Sequence, residues 1–123
     1  MIIDIIRILL VVTVLFFIIK RFFPVEGMKV ISGEELKELL KHPKKYEFID
    51  VSIPREYKNY HIKEFRSIPL RRIRRDAPTI HKEKPVILIC QSGHISKEAA
   101  RRLKKLGFTD LSIVKGGISM WRN

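Results

Sequence analysis

The sequence has little cysteine and little acidic character, and both shortages limit what the chain can be. Its one cysteine, Cys90, excludes an intrachain disulfide, and four scattered histidines complete no recognisable zinc-ligand pattern. We therefore expect neither a metal nor another cofactor. The 13 Asp and Glu residues are outnumbered by 25 Lys and Arg residues, which gives a formal net charge of +12. A composition that is 46% hydrophobic is nevertheless too apolar for a disordered basic tail.

The 123 residues suffice for one folded domain and exclude a multi-domain enzyme. The apolar residues are concentrated near the N-terminus, where Ile8–Ile19 contains no charge and one weakly polar side chain, Thr13. A helix over Ile2–Phe23 would be roughly 33 Å long, enough to cross a hydrocarbon core of ~30 Å. We therefore expect a transmembrane anchor at residues 1–23, a linker at 24–29 and the folded domain at 30–123.

A cleaved secretory signal and a buried core helix are the two other interpretations of this run. A signal requires a basic start and small residues at the cleavage site, whereas Lys20-Arg21-Phe22-Phe23-Pro24 follows here. A core helix would need most of the remaining chain to wrap it. Because three basic residues follow the run and only Arg7 precedes it, the positive-inside rule predicts a single-pass cell-membrane protein whose domain faces the cytoplasm.

Beyond the anchor, short β-type runs alternate with helical patterns, which predicts an α/β fold. The strongest strand signal is Pro85–Ile89, an apolar run typical of a parallel strand buried on both faces. Ser32 with Glu35 forms a capping-box pattern for a first helix, and Ser96 is a second candidate N-cap. Further strands are predicted at 30–31, 47–51, 67–70 and 111–114, and further helical segments at 54–57 and 71–76.

Cys90 directly follows the strongest predicted strand, and a short loop leads from it into a predicted helix. The loop amides and the helix N-terminus direct unsatisfied N–H groups toward one spot, which favours a thiolate and binds anions. Gly93 permits the backbone angles that turn these N–H groups inward. The arrangement predicts a nucleophilic Cys90. The alternative is a small apolar residue that merely ends a buried strand.

At these residues the chain resembles the rhodanese-like domains, whose catalytic cysteine ends a central strand in a Cys-x-x-Gly-x-x-Ser loop. Here the loop is Cys90-Gln91-Ser92-Gly93-His94-Ile95-Ser96. The resemblance runs from about Val30 to Trp121 and includes Phe48-Ile49-Asp50-Val51, His61-Ile62 and Lys115-Gly116-Gly117-Ile118. It implies a five-stranded parallel sheet flanked by helices.

The resemblance also implies a sulfurtransferase with Cys90 as the catalytic residue. Cys90 would take a sulfane sulfur from thiosulfate or a persulfide and pass it, as a Cys90 persulfide, to a thiol or cyanide. The implied substrate-binding residues are Gln91, Ser92, Gly93, His94, Ile95 and Ser96, with Asp50 and His61 supporting the pocket. Expected partners are the small-molecule donor and acceptor, the lipid bilayer, and a membrane or sulfur-accepting protein. The alternative is a non-catalytic docking module tethered at the membrane.

Some residues depart from the patterns of related thiol enzymes. Active rhodanese-like domains often carry arginines in the loop, where this chain has Gln91 and Ile95, so we expect thiosulfate to be a poor donor. Cysteine phosphatases have an arginine six positions after the cysteine, where this chain has Ser96, which argues against a phosphatase. His94 is either a hydrogen-bond donor to Cys90 or an exposed loop residue.

The basic run Arg71-Arg72-Ile73-Arg74-Arg75 is of the kind that neutralises phosphates. The membrane anchor argues against nucleic acid as a partner. A solvated helix face, attraction to anionic lipid headgroups and attraction of anionic donors to the pocket remain as alternatives.

Overall fold

Five parallel strands form the centre of the computed structural model of the chain, which describes residues 1–22 and 28–122. The strands are β1 (Met28–Ile31), β2 (Glu47–Asp50), β3 (Arg66–Ser67), β4 (Val86–Ile89) and β5 (Leu111–Val114). They lie in the order β1-β5-β4-β2-β3, and each neighbouring pair is parallel. The predicted five-stranded parallel sheet is confirmed. Residue 23 of the predicted anchor, positions 24–27 of the predicted linker and Asn123 lie outside the described residues.

Helices cover the sheet on both faces. They are α2 (Gly33–Leu39), α3 (Pro54–Asn59), α4 (Ile73–Asp76), α5 (His94–Lys105) and α6 (Gly117–Arg122). Helix α1 (Ile2–Phe22) precedes the sheet in the chain and does not pack on it over Ile2–Ile19. Alternate residues of the strands point to opposite faces, so the core divides into two clusters. Leu88 packs with Leu103 of α5 on one face, and Ile87 packs with Leu36 of α2 and Ile118 of α6 on the other. The sheet is therefore buried on both sides, as an all-parallel sheet requires.

The start of α2 is as predicted, whereas the starts of α5 and β1 are not. The Ser32 hydroxyl accepts the Glu35 N–H at 3.1 Å, which confirms the predicted N-cap. The prediction of Ser96 as N-cap is wrong, because α5 already begins at His94, after Gly93. Strand β1 begins at Met28, two residues before the predicted strand, because the pairing with β5 extends to that residue.

Helix α1 is long and apolar enough to cross a membrane, judged by length and composition. Its Ile2–Ile19 window has a mean hydropathy of 2.9, and none of the window is buried against the rest of the chain. A core helix would be mostly buried, so the core-helix interpretation does not agree with the structure.

The parallel strands give the sheet two unlike edges. We name the edge at which the strands begin the amino edge and the edge at which they end the carboxyl edge. Met28, Leu111 and Val86 are paired at the amino edge. Asp50 and Ile89 are paired at the carboxyl edge, and Cys90 follows immediately. Functional side chains in parallel sheets gather at the carboxyl edge.

Candidate active site

The Cys90 thiol accepts hydrogen bonds from two backbone amides at the carboxyl edge. Cys90 is fully buried at the end of β4. Its Sγ accepts the backbone N–H of Gly93 at 3.0 Å and that of Ser96 at 3.3 Å. Two N–H donors aimed at one sulfur stabilise negative charge on it, and the N-terminal end of the twelve-residue helix α5 adds a partial positive charge.

The backbone conformation of Gly93 allows these two amides to point at the sulfur. It precedes α5 with a φ of +98°, in the left-handed region that residues with a Cβ rarely adopt. This conformation turns the chain back toward Cys90, so that the Gly93 amide points at the sulfur. The sequence-based role of Gly93 in turning the loop amides inward agrees with this geometry.

Ser96 contributes a hydroxyl as well as an amide. Its Oγ–H donates to the Gly93 carbonyl at 2.9 Å, and its Oγ accepts the Cys90 thiol hydrogen at 3.5 Å. Once the thiol loses its proton, rotation of the hydroxyl can direct its hydrogen to Sγ instead. Ser96 is fully buried in the first turn of α5, so no bulk water competes for these bonds.

Helix α6 holds the loop from the other side. The amides of Ile118 and Ser119 donate to the carbonyls of Cys90 and Gln91 at 2.8 and 3.0 Å. Gly117 has a φ of +61°, and a Cβ there would collide with the Cys90 carbonyl oxygen. Sequence reasoning missed this contact, although the Gly116-Gly117 pair after β5 is the signal that marks it.

The remaining loop residues line the surroundings of the thiol without a hydrogen bond to it among the described residues. Gln91 and Ile95 are half-buried, and Ser92 and His94 are exposed. The structure therefore gathers two of the six predicted loop residues around Sγ.

Two cavities flank the loop. One of about 330 Å³ is lined by His94, Lys97 and Lys115, with Ser92 and Gly93 from the loop. The other, of about 370 Å³, is mainly apolar, and its lining within residues 1–22 and 28–122 is Val51, Ile53, Pro54, Pro69, Leu70, Ile95 and a single cation, Arg71. Sequence reasoning had not assigned Lys97 or Lys115 to the site. Their signal is their position, since Lys115 directly follows β5 and Lys97 lies in the first turn of α5, both at the carboxyl edge.

Asp50 is buried near the loop, but its carboxylate forms its hydrogen bond within its own segment, to Ser52. Its Oδ1 accepts the Ser52 N–H at 2.9 Å, while Oδ2 and the Ser52 hydroxyl have no hydrogen-bond partner within the described part of the chain. Burial raises the pKa of Asp50 above its ordinary value of 3.8, although hydrogen bonding to Ser52 and the charge of His61 act in the opposite direction. The alternation along β2 puts Asp50 on the Phe48 face of the sheet, opposite the cluster that contains Cys90.

His61 is exposed and held by α3. Its Nδ1 donates to the Tyr57 carbonyl at 2.8 Å, and its ring stacks on the Tyr57 ring at 3.9 Å. The Tyr57 hydroxyl in turn donates to the Phe65 carbonyl at 2.6 Å. Among residues 1–22 and 28–122, no group of three His, Cys, Asp or Glu side chains could hold a metal ion.

Comparison of the sequence with known proteins points to one family. The family described as "Rhodanese-like domain" matches residues 32–123. The chain is 36% identical over 94 residues to the uncharacterized protein YqhL of Bacillus subtilis, and the match covers 76% of this chain and 72% of YqhL. It is 30% identical over 74 residues to the thiosulfate sulfurtransferase GlpE of Pseudomonas syringae, covering 60% of this chain and 70% of GlpE. In longer relatives the match covers as little as 24% of their length.

Comparison of the fold gives the same result. A rhodanese-related protein from Thermoplasma volcanium superposes with a TM-score of 0.68 at 29% identity, over 76% of this chain and 90% of that protein. A rhodanese-like domain protein from Staphylococcus aureus superposes with a TM-score of 0.70 at 28% identity, over 76% and 91%. The α/β domain and these structures share one architecture.

Proposed function

Because the chain belongs to the rhodanese-like domain family, we propose that it is a sulfurtransferase that carries sulfur on Cys90. At the level of the family, sulfur transfer is supported by relatives that are thiosulfate sulfurtransferases. The observation that carries the proposal for this chain is the pair of amides, from Gly93 and Ser96, that donate to the Cys90 sulfur. These donors fit a group that alternates between thiolate and persulfide.

Sulfur transfer through Cys90 takes two displacements. The thiol first loses its proton to water, and the thiolate attacks the outer sulfur of the donor. A new S–S bond forms at Cys90, the donor's bond to that sulfur breaks, and the leaving group departs with the electron pair; for thiosulfate it is sulfite. An acceptor thiolate or cyanide then attacks the outer sulfur of the Cys90 persulfide, and the Cys90 thiolate leaves. The same amides face the sulfur in both steps. They therefore stabilise the Cys90 thiolate that attacks the donor and the Cys90 thiolate that leaves in the second step.

The surroundings of the loop favour a persulfide over thiosulfate as the donor. Gln91 and Ile95 carry no charge, and the cavity beside Ile95 is mainly apolar, with Arg71 as the one cation that the described residues place in it. A dianion such as thiosulfate loses its water in such a place without a charge-assisted hydrogen bond in exchange. An organic persulfide can bury its apolar substituent in this cavity. The basic residues beside His94 offer a position for an anionic group of the donor or the acceptor.

We place the protein in the cell membrane, with α1 as a single-pass anchor and the domain in the cytoplasm. Support comes from the length and hydropathy of α1 and from the complete exposure of its Ile2–Ile19 window. Arg7 precedes the apolar run and more basic residues follow it, which favours a cytoplasmic C-terminal side. A reducing cytoplasm also keeps a lone thiol available for sulfur transfer.

Turnover of the full chain in detergent tests the proposal. Sulfur transfer to cyanide is measured with thiosulfate and with an organic persulfide, for the wild type and for Cys90→Ser. We expect turnover with both donors, a higher kcat/KM with the persulfide, and none with Cys90→Ser. Equal turnover by Cys90→Ser would refute the role of Cys90, and a higher kcat/KM with thiosulfate would refute the donor preference.

One observation favours a non-catalytic docking module instead. Cys90 has no exposed surface, and its thiol hydrogen already has an acceptor in Ser96. A cysteine in that state resembles a small core residue. Absence of turnover with both donors in the same assay, together with a correctly folded protein, would support this second function.

A further inference from the structure

The segments that enter the sheet at its amino edge are rich in lysine. The segments 41–46, 81–85 and 104–110 lead into β2, β4 and β5 there, and they contain seven lysines and two acidic residues. The segments 32–34, 51–53, 90–93 and 115–116 follow β1, β2, β4 and β5 at the carboxyl edge, and they contain one lysine and one acidic residue. Arg71 and Lys97 lie on the helical turns that follow β3 and β4. This excess of lysine lies away from Cys90, so attracting anionic donors to the thiol does not explain it.

The amino-edge lysines are available for a partner. Both acidic residues of these segments are engaged, since Asp110 lies 3.9 Å from Lys29 and Glu83 lies 3.4 Å from His81. Lys44, Lys45 and Lys105 are exposed, and none of the described carboxylates lies within 4.0 Å of them; Lys104 is partly exposed. An uncompensated row of ammonium groups attracts a polyanionic surface.

A cavity of about 470 Å³ opens beside this row. Arg74 and Lys82 supply cations to its lining, and Ile80, Leu106 and Phe108 supply apolar surface. The lining also contains one carboxylate, Glu83, which lies 3.4 Å from the His81 ring nitrogen. Lys82 is fixed in position, because its Nζ donates to the Leu106 carbonyl at 2.8 Å and lies 5.4 Å from the centre of the Phe108 ring. Cations around an apolar floor suit an amphiphile with an anionic head.

A short tether keeps the amino edge close to α1. Helix α1 ends at Phe22 and β1 begins at Met28, at the amino edge. A chain of that length spans at most about 20 Å. Cys90 lies four residues beyond Val86 along the strand direction, or about 13 Å farther from the amino edge. If α1 crosses a bilayer, the lysine-rich edge is therefore the part of the sheet held nearest to the lipid headgroups.

We propose that the amino edge docks on anionic lipid headgroups of the bilayer that α1 crosses, with the Arg74–Lys82 cavity as a headgroup site. The proposal rests on the membrane anchoring proposed above. Lysines near a membrane surface are attracted to anionic lipids, and the short tether holds them within the range of that attraction. Docking in this pose directs the carboxyl edge toward the aqueous phase, so Cys90 meets its donor and acceptor from solution.

Lysine labelling of the full chain in vesicles tests the docking. The chain is reconstituted in phosphatidylcholine, with and without phosphatidylglycerol, and acetylated with a membrane-impermeant reagent before mass spectrometry. We expect severalfold slower acetylation of Lys44, Lys45 and Lys105 in the phosphatidylglycerol vesicles, and recovery of the rate at high salt. Lys97 and Lys115, at the carboxyl edge, are internal references whose rates should not change.

The outcomes separate the anchor from the docking. Failure of the chain to float with either kind of vesicle would overturn the anchor and the docking together. Flotation with equal labelling in both lipids, or with protection of Lys97 and Lys115 instead, would overturn the docking alone. Protection of the amino edge by added RNA but not by phosphatidylglycerol would overturn the choice of partner. Arg74→Gln should weaken the protection by phosphatidylglycerol, whereas Arg55→Gln, on α3, should leave it unchanged.

Discussion

Three groups, which belong to Gly93 and Ser96 of the loop, form hydrogen bonds with the sulfur of Cys90. Two are amides that cannot move away, because the Gly93 conformation and the first turn of α5 fix them. The third is the Ser96 hydroxyl, which can rotate. Fixed donors stabilise the charged sulfur without reorganisation, while the hydroxyl can accept from a thiol and donate to a thiolate. A single substitution can therefore remove the Ser96 hydroxyl, together with its bond to the Gly93 carbonyl, while both amides stay in the backbone.

Ser96→Ala should slow the transfer of sulfur to Cys90 about tenfold, because a hydrogen bond to a charged group contributes about 1.5 kcal/mol. The rate of persulfide formation, followed by intact mass, measures this. Ser119→Ala is the control, since Ser119 is exposed on α6 and its amide contact to the loop remains. An unchanged rate for Ser96→Ala would mean that the hydroxyl does not face the reacting sulfur.

The contribution of Asp50 to the stability of the fold should depend on pH. Because burial raises the pKa of this carboxyl above 3.8, the folded state binds its proton more tightly than the unfolded state does. Its contribution to stability is therefore complete below pH 3.8 and is lost as the pH rises through the raised pKa of the folded state. Asparagine has the same shape and does not titrate.

We accordingly expect the Tm of the wild type, minus that of Asp50→Asn, to decrease as the pH rises from about 3 to about 7. Thermal unfolding of both full chains in the same detergent gives the two curves. A difference that grows with pH would mean that the Asp50 carboxylate is stabilised in the fold, contrary to the unpartnered Oδ2.

At the scale of elements, the site depends on how α6 meets the loop between β4 and α5. Two amides of α6 donate to the carbonyls of Cys90 and Gln91, and the close approach of Gly117 makes both bonds possible. The short helix α6 therefore fixes the loop, although none of its side chains takes part in the hydrogen bonds at the sulfur.

Gly117→Ala should lower the free energy of unfolding by about 1–3 kcal/mol, because it adds strain at a positive φ and a collision with the Cys90 carbonyl. Sulfur transfer should fall with it, since the loop loses its brace. Gly33→Ala is the matched control. A Cβ at Gly33 would meet only Trp121, at an ordinary distance of 3.7 Å. Equal stability and activity for the two variants would contradict the bracing role.

Elements set by local patterns were predictable from the sequence. The apolar run of β4 and the Ser32 cap of α2 depend on neighbouring residues, and both occur as predicted. The start of α5 depends on where the thiol lies, because Gly93 turns back to the sulfur and the helix begins two residues before Ser96. The local sequence does not show how close the Gly93 amide lies to the Cys90 sulfur. The predicted helix at 71–76 is likewise divided into a 3₁₀ turn and α4.

At the scale of the whole molecule, the two edges of the sheet have different functional roles. The carboxyl edge contains the thiol and the cavities beside it. The amino edge contains the excess lysines and the connection to α1. The basic run at 71–75 also divides, since Arg71 lines a cavity beside the loop and Arg74 lines the cavity of the amino edge. Sequence reasoning could count these charges, but only the fold assigns them to opposite edges.

Intact mass spectrometry of the full chain shows whether Cys90 carries sulfur as a persulfide. The chain is treated with a persulfide donor, freed of excess donor and weighed before and after addition of cyanide, with Cys90→Ser in parallel. We predict that the mass increases by one sulfur atom, that cyanide removes this atom, and that it is located on the peptide containing Cys90 and absent from the variant. A wild-type mass that does not change in correctly folded protein would contradict this prediction.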